Sequence, residues 1–172
     1  MKFFSGFCFQ DEDKLFEEYL ERSDFCVAGF SYGAVKAFEY TSTCRDRIDR
    51  LQLFSPAFFQ DKSEKFRRLQ TMSFAKNRDK YIENFLNQVK YPSDIELKDY
   101  FKEGSLSELE ELLGYVWSTD KLDELSQKGI DIEVYLGEKD KIINPNSALE
   151  FFKPYARVYY KKSVGHLLRN QN

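Results

Sequence analysis

Short strand-like segments alternate with helical ones along this chain, and that alternation restricts the fold more than any other feature. Phe25–Gly29 is a compact apolar run bounded by Ser23-Asp24 and a glycine, which is the form of a buried strand. Ala34–Tyr40 follows with Ala34, Val35, Ala37 and Phe38 at helical spacing. Ile48–Phe54 is a second core strand, stopped by Ser55-Pro56. Ile130–Leu136 is a third, Asn146–Lys153 is helical again, and Arg157–Lys161 closes the series as a strand. Lys2–Ser5 adds a short strand at the start, and Asp11–Arg22 carries Leu15, Phe16, Tyr19 and Leu20 in a helical pattern with acidic residues in its first turn. Five strands separated by helices, buried on both faces, predict a mostly parallel sheet in an α/β layer fold.

The middle of the chain breaks this rhythm. From about 58 to 120 the pattern is helical, charged and irregular, interrupted at Tyr91-Pro92 and at Gly104. It reads as a helical insertion between the third and fourth strands of a single domain spanning 1–172. Its first part is locally basic, with Lys62, Lys65, Arg67, Arg68, Lys76, Arg78 and Lys80. The chain as a whole has a formal net charge of −3, which gives no general attraction to nucleic acid or to an anionic membrane. The apolar run Phe3–Phe9 is short and meets Asp11-Glu12-Asp13, so it does not read as a signal peptide. Cys8, Cys26 and Cys44 are odd in number and widely spaced, with neither a metal-binding nor a disulfide pattern. They read as small buried hydrophobes of a reduced, cytoplasmic protein.

One five-residue stretch carries chemistry. Gly29-Phe30-Ser31-Tyr32-Gly33 has the G-x-S-x-G form and lies where a buried strand ends and a helix begins. Glycines flank the serine because the turn is tight enough for side chains to collide with neighbouring backbone. Such a turn lifts Ser31 Oγ clear of the sheet at a helix N-terminus, whose N–H groups face a developing oxyanion. A serine nucleophile of this kind needs a base, and His166 is the sole histidine of the chain. It follows Gly165 directly after the last strand, in the order serine, acid, histidine. Asp140, in the turn after the fourth strand, is the expected acid; Asp120, Asp123 and Asp131 compete with it but do not follow a strand in that order. Tyr32 N–H is one expected oxyanion donor, and Phe7 N–H, in the loop after the first strand, is the second.

The elbow, the Gly137-Glu138-Lys139-Asp140 turn with Ile142, Ile143 and Pro145 beyond it, and the terminal Gly165-His166 together resemble the α/β-hydrolase superfamily. The resemblance implies a compact, truncated α/β-hydrolase fold with a helical cap at 58–120. It makes the first strand the family's third, and the residues between Phe9 and Asp24 offer no counterpart to the fourth, which leaves a sheet edge to be covered. Within the superfamily, Ser31-Tyr32 in the elbow and the basic cap are similar to the short type of pimeloyl-[acyl-carrier protein] methyl ester esterase of biotin synthesis. That similarity implies ester cleavage without metal or organic cofactor, and an acidic acyl carrier protein as the partner. Lys62, Lys65, Arg67, Arg68, Lys76 and Arg78 would meet the carrier, and Phe58, Phe59, Phe66, Met72 and Phe74 would line an acyl channel. Another serine esterase or thioesterase, or a non-catalytic binding protein on the same scaffold, would share the fold.

Overall fold

The computed structural model describes residues 1–171. Five strands, β1 (Lys2–Phe4), β2 (Cys26–Phe30), β3 (Arg50–Phe54), β4 (Asp131–Gly137) and β5 (Arg157–Lys161), form one sheet in sequential order. Every neighbouring pair is parallel, with Gly29 beside both Phe4 and Leu53, and Leu53 beside Val134. All C-terminal strand ends therefore lie along one rim, and the functional loops leave from that rim.

Helices α1 (Tyr32–Thr43), α5 (Thr119–Gln127) and α6 (Pro145–Phe152) supply one layer. Their apolar residues, among them Ala34, Phe38, Leu122 and Phe152, join Val27, Leu51, Leu53 and Val134 in one continuous core. Trp117 ties the layer together, stacking edge-on to Phe152 and donating its indole N–H to Ala57 O at 2.9 Å. The insertion folds as α2 (Glu64–Lys76), α3 (Arg78–Lys90) and α4 (Leu106–Gly114), with α2 packed on both others. Each start is marked in the sequence: Ser63 Oγ accepts Phe66 N–H, Asn77 Oδ1 accepts Lys80 N–H, and Ser105 with Glu108 makes a capping box. Helix α5 begins inside the region read as insertion, yet it packs against α1 in the main layer.

The opposite face is covered thinly, and here the helix expected over Asp11–Arg22 does not form. Only Glu12–Phe16 is helical, as a 3₁₀ segment. The reason is a competing partner. Gln52, pointing out of β3, donates to Tyr19 O (2.9 Å) and accepts Glu21 N–H (2.8 Å), so these backbone groups are bound to the sheet rather than to a helical ladder. Gln52 also donates to Glu133 Oε2 at 2.8 Å, and the Tyr135 hydroxyl donates to the same oxygen at 2.9 Å. Gln52 and Glu133, the buried polar residues of β3 and β4, are thus partnered, holding an irregular segment where a helix would otherwise lie. Phe16 fills the space beneath, packed against Phe30 and Phe54.

The sheet ends are blunted. β1 has three residues, and β5 carries Arg157 and Lys161 at its ends. Cys8 and Cys26 are buried thiols; Cys44 departs from that expectation and is half-buried just beyond α1. Among the described residues, no helix is long and apolar enough to cross a membrane.

Candidate active site

The junction of β2 and α1 is built by close backbone approach. A Cβ on Gly29 would lie 2.2 Å from Gly33 O, and one on Gly33 would lie 1.9 Å from Phe4 O. Between them Ser31 adopts φ 54°, ψ −116°, a region that residues with a Cβ avoid. The geometry is fixed from outside: Ser31 N–H donates to Phe54 O (2.9 Å), and Ser31 O accepts from Ala57 N–H (3.0 Å). Holding a non-glycine residue there costs about 1–3 kcal/mol. Ser31→Gly is therefore expected to unfold at a higher temperature than Ser31→Ala, both lacking the hydroxyl and only one retaining the strained Cβ. Equal midpoints in thermal unfolding would show the elbow to be unstrained.

His166 sits wholly buried beneath this turn. Its Nε2 is 3.0 Å from Ser31 Oγ and its Nδ1 is 2.6 Å from Asp140 Oδ2. Asp140 is itself oriented, because its Oδ1 accepts Ile142 N–H at 2.7 Å and Ile143 N–H at 3.1 Å. The histidine loop is held by Ser55, whose Oγ donates to His166 O at 2.6 Å, and by the Phe30 ring, 5.1 Å from the imidazole. Gly137 and Gly165 let the two loops touch: a Cβ on Gly137 would come within 2.2 Å of Gly165 O. Asp131 lies at the far end of β4, paired with Arg50 and Arg157, while Asp120 and Asp123 are on α5.

Ser31 opens into a cavity of about 650 Å³ between the sheet rim and the insertion. Phe59, Phe66, Leu109 and Leu113 give it apolar walls, and Gln70, Tyr81, Asn84 and Gln88 give it a neutral polar side. Burial pushes the Tyr81 phenol up to about 12, so it stays a neutral donor, and it hydrogen-bonds Gln70 Oε1 at 2.9 Å. Phe7 lines the same cavity as Ser31. Among the described residues, neither Phe7 N–H nor Tyr32 N–H has a protein acceptor.

The other residues singled out in the sequence divide. Of the aromatic channel candidates, Phe59 and Phe66 line the cavity. Phe58 instead packs on Phe151 and Phe152 in the core, Phe74 lies against Phe7 and Tyr81, and Met72 is 62% exposed. The helical period explains this, since the cavity takes one face of α2 and Met72 lies on another. Lys62 lines the cavity mouth, whereas Lys65, Arg68 and Lys76 are exposed on α2. Arg67, half-buried, donates to Phe59 O (3.4 Å), and Arg78, exposed at the start of α3, donates to Gly104 O (2.8 Å) beside its ion pair with Glu103. Ser55, which holds the histidine loop, is not apparent as a site residue in the sequence, since it has no motif beyond a strand stop. Among the described residues, no group of three His, Cys, Asp or Glu side chains is placed to hold a metal ion.

No family model and no curated protein matches this sequence. Solved structures do match in shape. Over 91% of the chain it superposes on an esterase, EaEST, from Exiguobacterium antarcticum, with a TM-score of 0.63 at 16% identity. MenH from S. aureus superposes over 95% of the chain with a TM-score of 0.58 at 13% identity, and covers 85% of that protein. BioG from Haemophilus influenzae superposes over 96% with a TM-score of 0.57 at 12% identity, and 87% of that protein is covered. The fold is that of the α/β-hydrolases. The chain spans 64% of the length of the Exiguobacterium esterase and about half the length of two further hydrolase structures. The α/β-hydrolase rim is where the cavity and the Ser31–His166–Asp140 chain lie. The sequential sheet order leaves β1 as an edge strand, and between Phe9 and Asp24 the chain forms the 3₁₀ segment Glu12–Phe16 in place of a further strand.

Proposed function

We propose that this protein is a serine carboxylesterase that removes the methyl ester from pimeloyl-[acyl-carrier protein], releasing methanol. The observation that carries the esterase reading is the continuous hydrogen-bonded chain from Asp140 through His166 to Ser31 at the wall of an open cavity. Ser31 Oγ attacks the ester carbonyl as its proton passes to His166 Nε2. Asp140, accepting Nδ1–H, fixes the tautomer and stabilises the imidazolium. The oxyanion rests on Phe7 N–H and Tyr32 N–H. The carbon–oxygen bond to methoxide breaks, and His166 protonates the leaving oxygen to give methanol. Water, deprotonated by the same imidazole, then attacks the acyl-serine, and the acid leaves as Ser31 regains its proton.

The substrate assignment rests on resemblance of sequence, and two features of the insertion support it. The cavity volume suits an extended acyl chain, and its walls combine apolar and neutral polar groups. The outer face of α2 presents Lys65, Arg68 and Lys76 around Leu69 and Met72, which are 51% and 62% exposed. These positions recur every three or four residues, so they form one stripe. A basic stripe with an apolar centre complements an acidic carrier protein and would steer it to the cavity mouth.

The test is mass-resolved hydrolysis of the carrier-bound methyl ester beside a free aryl ester. Wild-type protein is expected to remove one methylene equivalent of mass from the carrier adduct. The double variant Lys65→Glu, Arg68→Glu is expected to raise KM for the carrier substrate several-fold, and to leave aryl ester turnover unchanged. If the aryl ester is cleaved and the carrier ester is not, the substrate assignment falls and a different acyl ester is indicated. If KM for the carrier ester is unmoved by charge reversal, the carrier docks elsewhere.

A further inference from the structure

Glu12 is completely buried, yet no step of the mechanism uses it. Its Oε1 accepts Gly6 N–H at 2.7 Å, and among the described residues its Oε2 has no hydrogen-bond partner. Among the described residues no ion pair is formed with it, and burial raises its carboxyl above the usual glutamate range. Placing a carboxyl group here is unfavourable for the fold, so the hydrogen bond it makes is the feature to explain.

That bond lands on the loop that carries Phe7. The loop is tied at several points: Phe9 N–H donates to Gly6 O (3.1 Å), Lys102 N–H donates to Cys8 O (3.0 Å), and Gln10 N–H donates to Tyr100 O (2.8 Å). Gly6 itself is pressed on β2, where an added Cβ would stand 2.9 Å from the Phe30 ring. Gly104 closes the other side, since a Cβ there would lie 2.4 Å from the Phe7 ring. Glu12 fixes the Ser5–Gly6 peptide and Phe9 N–H holds the carbonyl of the next one, Gly6–Phe7, whose N–H has no protein acceptor among the described residues; Phe7 lines the same cavity as Ser31.

We propose that Glu12 is a positioning residue of the oxyanion pocket: by holding Gly6 N–H it sets the plane of the following peptide and aims Phe7 N–H at the reacting carbonyl oxygen. The proposal rests on Phe7 N–H being an oxyanion donor, as in the esterase reading. It acts in the transition state, because the donor must reach the oxyanion and not the ground-state carbonyl. It also explains why a carboxyl group suits the position. Only a side chain with an acceptor at that reach can hold an N–H that points into an apolar wall.

The experiment compares wild type with Glu12→Ala, Glu12→Asp and Glu12→Gln on a small aryl ester. A trifluoromethyl ketone, which forms a tetrahedral oxyanion adduct with Ser31, serves as the second probe. Glu12→Ala and Glu12→Asp are expected to lower kcat by roughly 10²-fold, the scale of one lost oxyanion donor, with KM nearly unchanged. The ketone should bind more weakly by a similar factor. Glu12→Gln keeps an acceptor oxygen at the same reach and is expected to retain most of the activity. Should Glu12→Ala not fold, Glu12→Asp and Glu12→Gln carry the comparison. The proposal is overturned if folded Glu12→Asp matches wild type in kcat, or if Glu12→Gln is as impaired as the others. It is also overturned if ketone affinity is unaffected by loss of the acceptor. A wild-type protein inert to both aryl ester and ketone would instead overturn the esterase reading beneath it.

Discussion

Replacing Ser31 by alanine is expected to lower aryl ester turnover by a factor on the order of 10⁶ while leaving KM nearly unchanged. Ser31 Oγ is the hydroxyl hydrogen-bonded with His166 Nε2, at 3.0 Å, and of the two residues Ser31 lines the cavity while His166 is wholly buried behind it. Alanine removes that atom but keeps the Cβ, so the elbow and its contacts with Phe54 O and Ala57 N–H persist. What remains is binding in the cavity and two oxyanion donors, which without a nucleophile leave only a small residual acceleration over water. The decisive readouts are steady-state turnover and labelling by a fluorophosphonate. Wild type should be labelled at one site, and Ser31→Ala should not be labelled. A variant that keeps a substantial share of wild-type turnover, or that still takes up the probe, would place the nucleophile elsewhere.

Much of this site was legible because its three members each end a recognisable pattern. Ser31 sits between two glycines after an apolar strand, Asp140 in a polar turn after β4, and His166 after a glycine beyond β5. In a parallel sheet all such positions come to the same rim, so residues 135 and 26 positions apart in the chain meet without any long-range information. β5 appears with the limits expected of it, and the other strands shift by a residue or two. The errors have a common cause. The segment after Asp11 has a helical period, but its backbone is bound by the Gln52 side chain, more than thirty residues away. Phe58 and Phe74 are aromatic like Phe59 and Phe66, and only the packing of the insertion decides which face the cavity. Ser55 and Glu12 each make a single hydrogen bond to a backbone group, 111 and 6 residues away along the chain, and a single bond leaves no periodic or spaced trace.

Asp140→Asn should lower turnover by about 10⁴, and the structure gives the reason in terms of which way the amide must face. In the wild-type protein Oδ1 accepts two backbone N–H groups, those of Ile142 and Ile143, and Oδ2 accepts His166 Nδ1–H. An asparagine has one acceptor oxygen and one amide that only donates. Turning the amide toward Ile142 and Ile143 would set its donors against two N–H groups, so the oxygen takes the Oδ1 place. The NH₂ group then faces His166 Nδ1, which must become an acceptor and give its proton to Nε2. With Nε2 protonated, the imidazole cannot take the proton of Ser31, and the fold is undisturbed. This outcome is directly observable, because His166 is the only histidine in the chain. The ¹⁵N shifts of a single labelled imidazole report its tautomer without assignment. Wild type should show the proton on Nδ1, and Asp140→Asn should show it on Nε2 in a protein of unchanged unfolding midpoint. If the tautomer stays on Nδ1 while activity collapses, Asp140 acts through the charge it lends the imidazolium. If neither tautomer nor turnover moves, Asp140 is a loop-capping residue and the acid of the triad must be sought elsewhere.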